Sequence, residues 1–151
     1  MWVSLYDLGI RVKVKSMHDD YIVQYSVDLS GQKLIFQTYN DETKVEGKIV
    51  FSDVLTHSFK CILAYNQILD INEYGIDSFI VDNKAELQEL EGYGWPINYQ
   101  NQEELKTFLM DNGYKYIKIN SSYGLFGWVL AKSYEILEGK DPGAVSRVFL
   151  I

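Results

Sequence analysis

The chain has 151 residues, 14 lysines and arginines against 21 carboxylates, and a formal net charge of −7. That length favours a single domain spanning residues 1–151, large enough for one sizeable core. A composition of 47% hydrophobic and 15% aromatic residues excludes a disordered chain, and the acidic balance argues against nucleic acid, whose phosphates reward clustered cations.

The N-terminal stretch "MWVSLYDLGIRVKVK" lacks the basic start and long apolar core of a signal peptide. No apolar run approaches the roughly 20 residues of a membrane span, so the sequence predicts a cytoplasmic protein. "IRVKVKSM" alternates, with Ile10, Val12 and Val14 on one face and Arg11, Lys13 and Lys15 on the other. Period two predicts a half-buried strand, and its cationic row discourages edge-to-edge pairing. "YIVQYSVDLSGQKLIFQTYN" reads as a hairpin, with Tyr21, Val23, Tyr25 and Val27 in one row. Ser30-Gly31 supplies its turn, since glycine takes positive φ cheaply.

A second turn at Asn40–Thr43 leads into "KVEGKIVF". "VLTHSFKCILAY" follows, placing Leu55, His57, Phe59, Cys61 and Leu63 on one face. The first half is therefore a meander of antiparallel strands. Cys61 is the lone cysteine, which excludes an intrachain disulfide and suits a reducing compartment. His57 and Cys61 resemble a base and a nucleophile, but four residues of strand hold them roughly 13 Å apart. A catalytic dyad needs hydrogen-bond reach. The expected state of the thiol is inert packing between Phe59 and Leu63.

Near Asp70 the pattern changes. Asp70, Glu73 and Asp77 would share one side of a helix, with Asp70-x-x-Glu73 as its start. Asn83 and Glu86 have capping-box spacing ahead of Leu87 and Leu90, and Gly92 can close that helix. "GYGWPINY" is a loop carrying Tyr93, Trp95 and Tyr99. Such aromatics either plug a core or anchor a partner. Asn101 and Glu104 repeat the cap, Leu105, Phe108 and Leu109 form an amphipathic stripe, and "DNG" ends the helix.

"YKYIKI" is a strand, and Asn120–Gly124 has turn chemistry. From Leu125 to Leu130 both alternating sets are apolar. A strand apolar on both faces lies between two layers, and Gly127 lets a helix or ring approach closely. The closing "EGKDPGAVSRVFLI" fits a strand or a tail. Together these elements predict an α+β fold: a mainly antiparallel β-sheet with two or three helices packed on one face.

No motif carries chemistry. There is no G-x-S-x-G, no phosphate-cradling glycine loop, and no metal-ligand spacing around His18 or His57. No cofactor or metal is implied, and no catalytic residue is assigned. Beside a structural domain that acts only through oligomerisation, two readings remain. One is a non-enzymatic protein-binding module, using Tyr93, Trp95 and Tyr99 and drawing a basic partner to its acidic surface. The other is a small enzyme or ligand-binding domain, in which His18 and His57 meet Asp53, Asp70 or Glu73.

"FSDVLTHSFKC", then "NQILDINEY", then "YKYIKINSSYGLFGWVLAKS" resemble a group of small uncharacterised bacterial proteins. Some of these are encoded beside secreted polymorphic toxins, as immunity proteins are. The resemblance spans Leu34 to Ile136. It implies an intracellular protein that binds and neutralises a toxin domain, and it brings no catalytic residues.

Overall fold

The structure is a computed structural model that describes residues 2–5, 10–13, 19–138 and 148–150, with side chains for 19–138. His18 and the side chains of the Ile10–Lys15 row lie outside the described residues. Nine strands and three α-helices follow in chain order among the described residues: β1 (Trp2–Leu5), β2 (Ile10–Lys13), β3 (Tyr21–Asp28), β4 (Lys33–Asn40), β5 (Val45–Lys60), β6 (Gln67–Tyr74), α1 (Ile76–Asp82), α2 (Lys84–Leu90), α3 (Gln102–Asp111), β7 (Lys115–Tyr123), β8 (Phe126–Glu138) and β9 (Val148–Leu150). The fold is α+β and mainly antiparallel.

Among the described residues β1 and β2 pair only with each other, while β3 to β9 form one sheet. Six of those strands return on themselves in the order β3-β4-β5-β8-β7-β6-β3. The closing seam is narrow. Only Tyr21 and Gln67 pair across it, braced by Ile22 N–H to the Asn66 carbonyl and Ile68 N–H to the Asp20 carbonyl, each 2.9 Å. Closure removes most of the exposed edge that an open sheet would present. β9 adds to β8 opposite Glu135–Leu137, so the closing segment contributes a strand.

Closing so small a ring needs long, bent strands, and β-bulges supply the bends. β5 runs 16 residues, pairing β4 through its first half and β8 along most of its length. It bends at Asp53, whose φ of 54° is left-handed, next to a register shift between Val54 and Thr56. A bulge at Val23 shifts β3 against β4. The expected Tyr21-Val23-Tyr25-Val27 row is therefore corrected. Ile22 is buried before the bulge, Tyr25 and Val27 pack on the core after it, and Val23 is 61% exposed.

The hairpin turns also differ in detail from expectation. At the β3–β4 turn the left-handed residue is Gln32 (φ 55°), not Gly31, and Asp28 Oδ1 accepts the Gly31 N–H at 2.9 Å. At the β4–β5 turn Asn40 Oδ1 accepts the N–H groups of Glu42 and Thr43, the local bonding that suits Asn to turns.

Two apolar clusters form among the described residues. Inside the ring sit Leu34, Phe36, Ile49, Phe51, Ile68, Ile117, Val129, Tyr134 and their neighbours. Phe36 is a hub there, with ring centroids 5.6 Å from Phe51 and 5.4 Å from Phe59. The second cluster joins Ile76, Phe79, Leu87, Leu105 and Leu109 of the helices to Tyr116, Trp128 and Leu130 of β7 and β8. β8 thus serves both cores. Leu125, just ahead of it, joins Val129 and Ala131 in the first cluster, and Trp128 and Leu130 belong to the second. This is the two-sided burial that its continuous apolar run predicts.

The helical segment starts later than the sequence suggests. Asp70 and Glu73 lie on β6, which pairs β7 from Gln67 to Tyr74, so they share no helix face with Asp77. Asn83 stands at the N-cap position of α2, as expected, but its side chain makes no cap bond. Its Nδ2 turns back to the Phe79 carbonyl at 2.9 Å. Gly92 falls inside a 3-10 turn, and Gly94, with φ 70°, ends it. The second cap does form: Asn101 Oδ1 accepts the Glu104 N–H at 2.9 Å, with Leu105 and Leu109 buried behind it.

Candidate functional site

Lys60 ends β5, and Cys61 follows with φ 56°. The reversal turns "CILAY" out of the sheet. Cys61 is exposed, against the expectation of a packed thiol, and Ile62, Leu63 and Tyr65 are 47%, 48% and 54% exposed. The β7–β8 hairpin tip lies beside this loop. Tyr123 and Phe126 are exposed there, and the Tyr65 and Tyr123 rings stand 6.3 Å apart, edge to face. Tyr21 closes on Tyr65 from the other side at 4.6 Å. A hydrogen bond to Tyr65, then partial burial, raises the Tyr21 phenol to about 12.

One buried side chain holds this arrangement. Asn66 Oδ1 accepts the N–H of Leu63 at 3.0 Å and of Leu125 at 2.9 Å, while its Nδ2 donates to the Leu63 carbonyl at 2.7 Å. Ser121 Oγ donates to the Leu125 carbonyl. Gly124, with φ 83°, permits the close approach, because a Cβ there would meet Asn66 Oδ1 at 2.4 Å and the Tyr65 carbonyl oxygen at 2.7 Å. Loop and hairpin tip are thereby clipped into one ridge.

Beside the ridge runs a groove of about 400 Å³ between the α1–α2 junction and the outer surface of β5, β8 and β7. Tyr116 Oη donates to Asp82 Oδ2 at 3.0 Å, and Lys118 Nζ donates to the same oxygen at 3.3 Å. Burial, then the Asp82 carboxylate, pushes the Tyr116 phenol well above its ordinary value. Lys60 and Phe126 belong to the groove lining as well, so groove and ridge are continuous.

The residues singled out from sequence are dispersed. Trp95 and Tyr99 pack against the helical cluster. Trp95 Nε1 donates to Thr56 Oγ1 at 3.1 Å, and Tyr99 Oη donates to the Leu87 carbonyl at 3.4 Å. Burial, with Glu91 nearby, raises the Tyr99 phenol. Tyr93, on the same loop, is 84% exposed. His57 pairs opposite Val129 on β8, with its ring 5.2 Å from Phe59. Its pKa is lowered by burial alone. Asp28 and Lys33 line the same cleft as His57. Asp53 stands exposed at the β5 bulge, Asp70 accepts from Asn120 Nδ2 at 2.6 Å, and Glu73 lies 3.8 Å from Lys115. The structure does not bring these carboxylates together around His57. Among the described residues no group of three or more His, Cys, Asp and Glu could hold a metal ion, and no helix is long and apolar enough to cross a membrane.

Sequence reasoning missed the ridge. The signal was "CILAY", an apolar run that continues past the end of the strand. It missed the groove too, because Lys60, Asp82, Tyr116 and Lys118 come from four separate elements. No protein-family model, no curated protein and no solved structure matches the chain.

Proposed function

We propose that this chain is a non-enzymatic protein-binding module of the bacterial cytoplasm, in keeping with its resemblance to immunity-like proteins, and that its partner is a basic protein such as a toxin domain. The observation that carries the reading is the clipped ridge of Ile62, Leu63, Tyr65, Tyr123 and Phe126. Contiguous exposed apolar groups mark interaction sites, and aromatics held in place lose little entropy on docking. On this reading the contact lies on the ridge rather than on the loop of Tyr93, Trp95 and Tyr99, two of whose aromatics serve packing.

Charge distribution supports a basic partner. From Asp70 to Asp111 the chain holds ten carboxylates and two lysines, so this one segment accounts for the acidity of the whole. A field concentrated in this way speeds encounter with a cation-rich surface. We read the three helices as a cover on one side of the sheet that carries this charge and leaves the ridge free.

Affinity capture from source-cell lysate with wild type and with a Leu63→Asp/Tyr123→Asp double variant tests the proposal. A basic partner held by wild type, weakened by salt, and lost from a double variant that melts normally would support it. A partner that binds both proteins equally would move the contact off the ridge. Recovery of acidic partners alone would end the basic-partner reading.

A further inference from the structure

We propose that the groove between the α1–α2 junction and strands β5, β8 and β7 binds a flat aromatic anion, a ring carrying a carboxylate or a phosphate. This site does not depend on the protein-binding reading.

At about 400 Å³, the groove falls within the roughly 300–1,000 Å³ of small-molecule sites. Its floor is aromatic. The Tyr116 and Trp128 rings lie 6.0 Å apart at 61°, and Phe126, 43% exposed, stands at one end. Gly127 lies between Phe126 and Trp128 and adds no side chain to the floor. Rings stack or meet edge to face on such surfaces.

The rim carries two ammonium groups. Lys118 on β7 is held in place: Asp82 Oδ2 is 3.3 Å away, and the Tyr74 and Tyr116 ring centroids are 5.1 and 5.9 Å away. Lys60 on β5 has no ion pair among the described residues. It pairs opposite Phe126, and Lys118 pairs opposite Trp128. The two lysines therefore sit two strand spacings across the sheet and two residues along it, about 12 Å apart at the backbone. Two ammoniums and one carboxylate, Asp82, line the groove, and a second carboxylate, Asp70, accepts from the lining Asn120 Nδ2 at 2.6 Å, so an anion would be held by Lys60 itself rather than by a net positive field.

A structural role explains part of this arrangement. Asp82, Tyr116 and Lys118 clasp the end of α1 to β7. It does not explain Lys60, which has no ion pair among the described residues, or the exposed Phe126 ring across from it. A flat ring would lie against the exposed Phe126 ring with its acid toward Lys60, the buried Trp128 and Tyr116 backing the floor. A cation would be repelled, and a neutral ring would gain only the stacking.

The test is amide and indole NMR of the full chain, titrated with four probes: 1-naphthoate, 1-naphthyl phosphate, 1-naphthalenemethanol and 1-naphthylmethylammonium. Saturable shifts with either anion, centred on Lys60, Lys118, Asn120, Gly127 and the Trp128 indole, are expected. The neutral alcohol and Lys60→Met with the anions should each bind about tenfold more weakly, the equivalent of about 1.4 kcal/mol. Lys60 is exposed, so that variant keeps the fold, and Lys118→Arg should retain binding. The tighter anion identifies the acid. Equal binding of the alcohol, shifts centred on Ile62–Tyr65, or no saturable shift at millimolar probe would each overturn the site.

Discussion

Gly127 of β8 pairs opposite Phe59 of β5, and a Cβ on it would stand 1.9 Å from the Ser58 carbonyl oxygen. The obstacle is backbone, so no side-chain rotation can relieve it. The neighbour that needs the missing side chain is a strand of the barrel itself, not the helix or ring expected from the sequence.

Gly127→Ala should therefore be among the costliest small substitutions in the chain. The φ of 156° is strained for an L side chain by about 1–3 kcal/mol, and β5 must also separate from β8 where Phe59 joins the core. Urea unfolding should show a loss of at least about 2 kcal/mol. Gly92→Ala, where a Cβ meets nothing within 4 Å, should stay within about 0.5 kcal/mol. Equal midpoints for the two variants would mean that the strands tolerate the separation.

Asn66→Ala should loosen the ridge. It leaves the Leu63 and Leu125 N–H groups and the Leu63 carbonyl without their partner. A buried donor left unpaired costs about 1–3 kcal/mol, and Asn66 itself is only 5% exposed. Hydrogen exchange should quicken at Leu63 and Leu125 before it changes at Ile117 or Val129 in the barrel core. Unchanged exchange at both amides would show that Asn66 is not what holds loop and hairpin together.

The fold was legible where period two ran unbroken. Leu125 to Leu130 announced burial on both faces because each alternating set is apolar; the structure places Leu125 and Val129 in one core and Trp128 and Leu130 in the other, while Phe126 stays exposed. Parity was lost at bulges. Val23, Asp53 and Leu69 sit at or beside register shifts, and an inserted residue moves everything after it to the other face without any mark in residue type. Asp70-x-x-Glu73 imitated a helix start, but pairing with β7 overrode the local pattern. Barrel closure rests on the Tyr21–Gln67 pair and the backbone bonds beside it, contacts between distant segments that no periodicity encodes. The ridge was hidden because the strand ends at a left-handed Cys61 rather than at a glycine or proline.

Trp95 and Tyr93 share a loop but should respond to mutation in opposite ways. Trp95→Phe removes the hydrogen bond to Thr56 Oγ1 and thins the contact with Trp128, whose ring lies 6.2 Å away. A loss of about 1–2 kcal/mol is expected from the bond and the lost packing together. Tyr93→Ala, at a position 84% exposed, should cost less than about 0.5 kcal/mol. Comparable losses by thermal denaturation would mean that Tyr93 packs in solution as Trp95 does.

His57 sets a pH dependence whose sign follows from burial. An unperturbed imidazole titrates near 6.5, and desolvation lowers that value in the folded chain. The unfolded chain therefore takes up a proton at a higher pH than the folded one. The contribution to stability is complete above about pH 6.5 and is lost as pH falls from there through the lowered folded value. His57→Gln removes the titrating group at similar size. The difference in urea midpoint between wild type and this variant should be constant above pH 7 and move against wild type as pH falls below 6.5, while His18 cancels because both proteins carry it. Parallel curves across that window, or a wild type that gains on the variant in acid, would show that the His57 ring is solvated or faces a carboxylate.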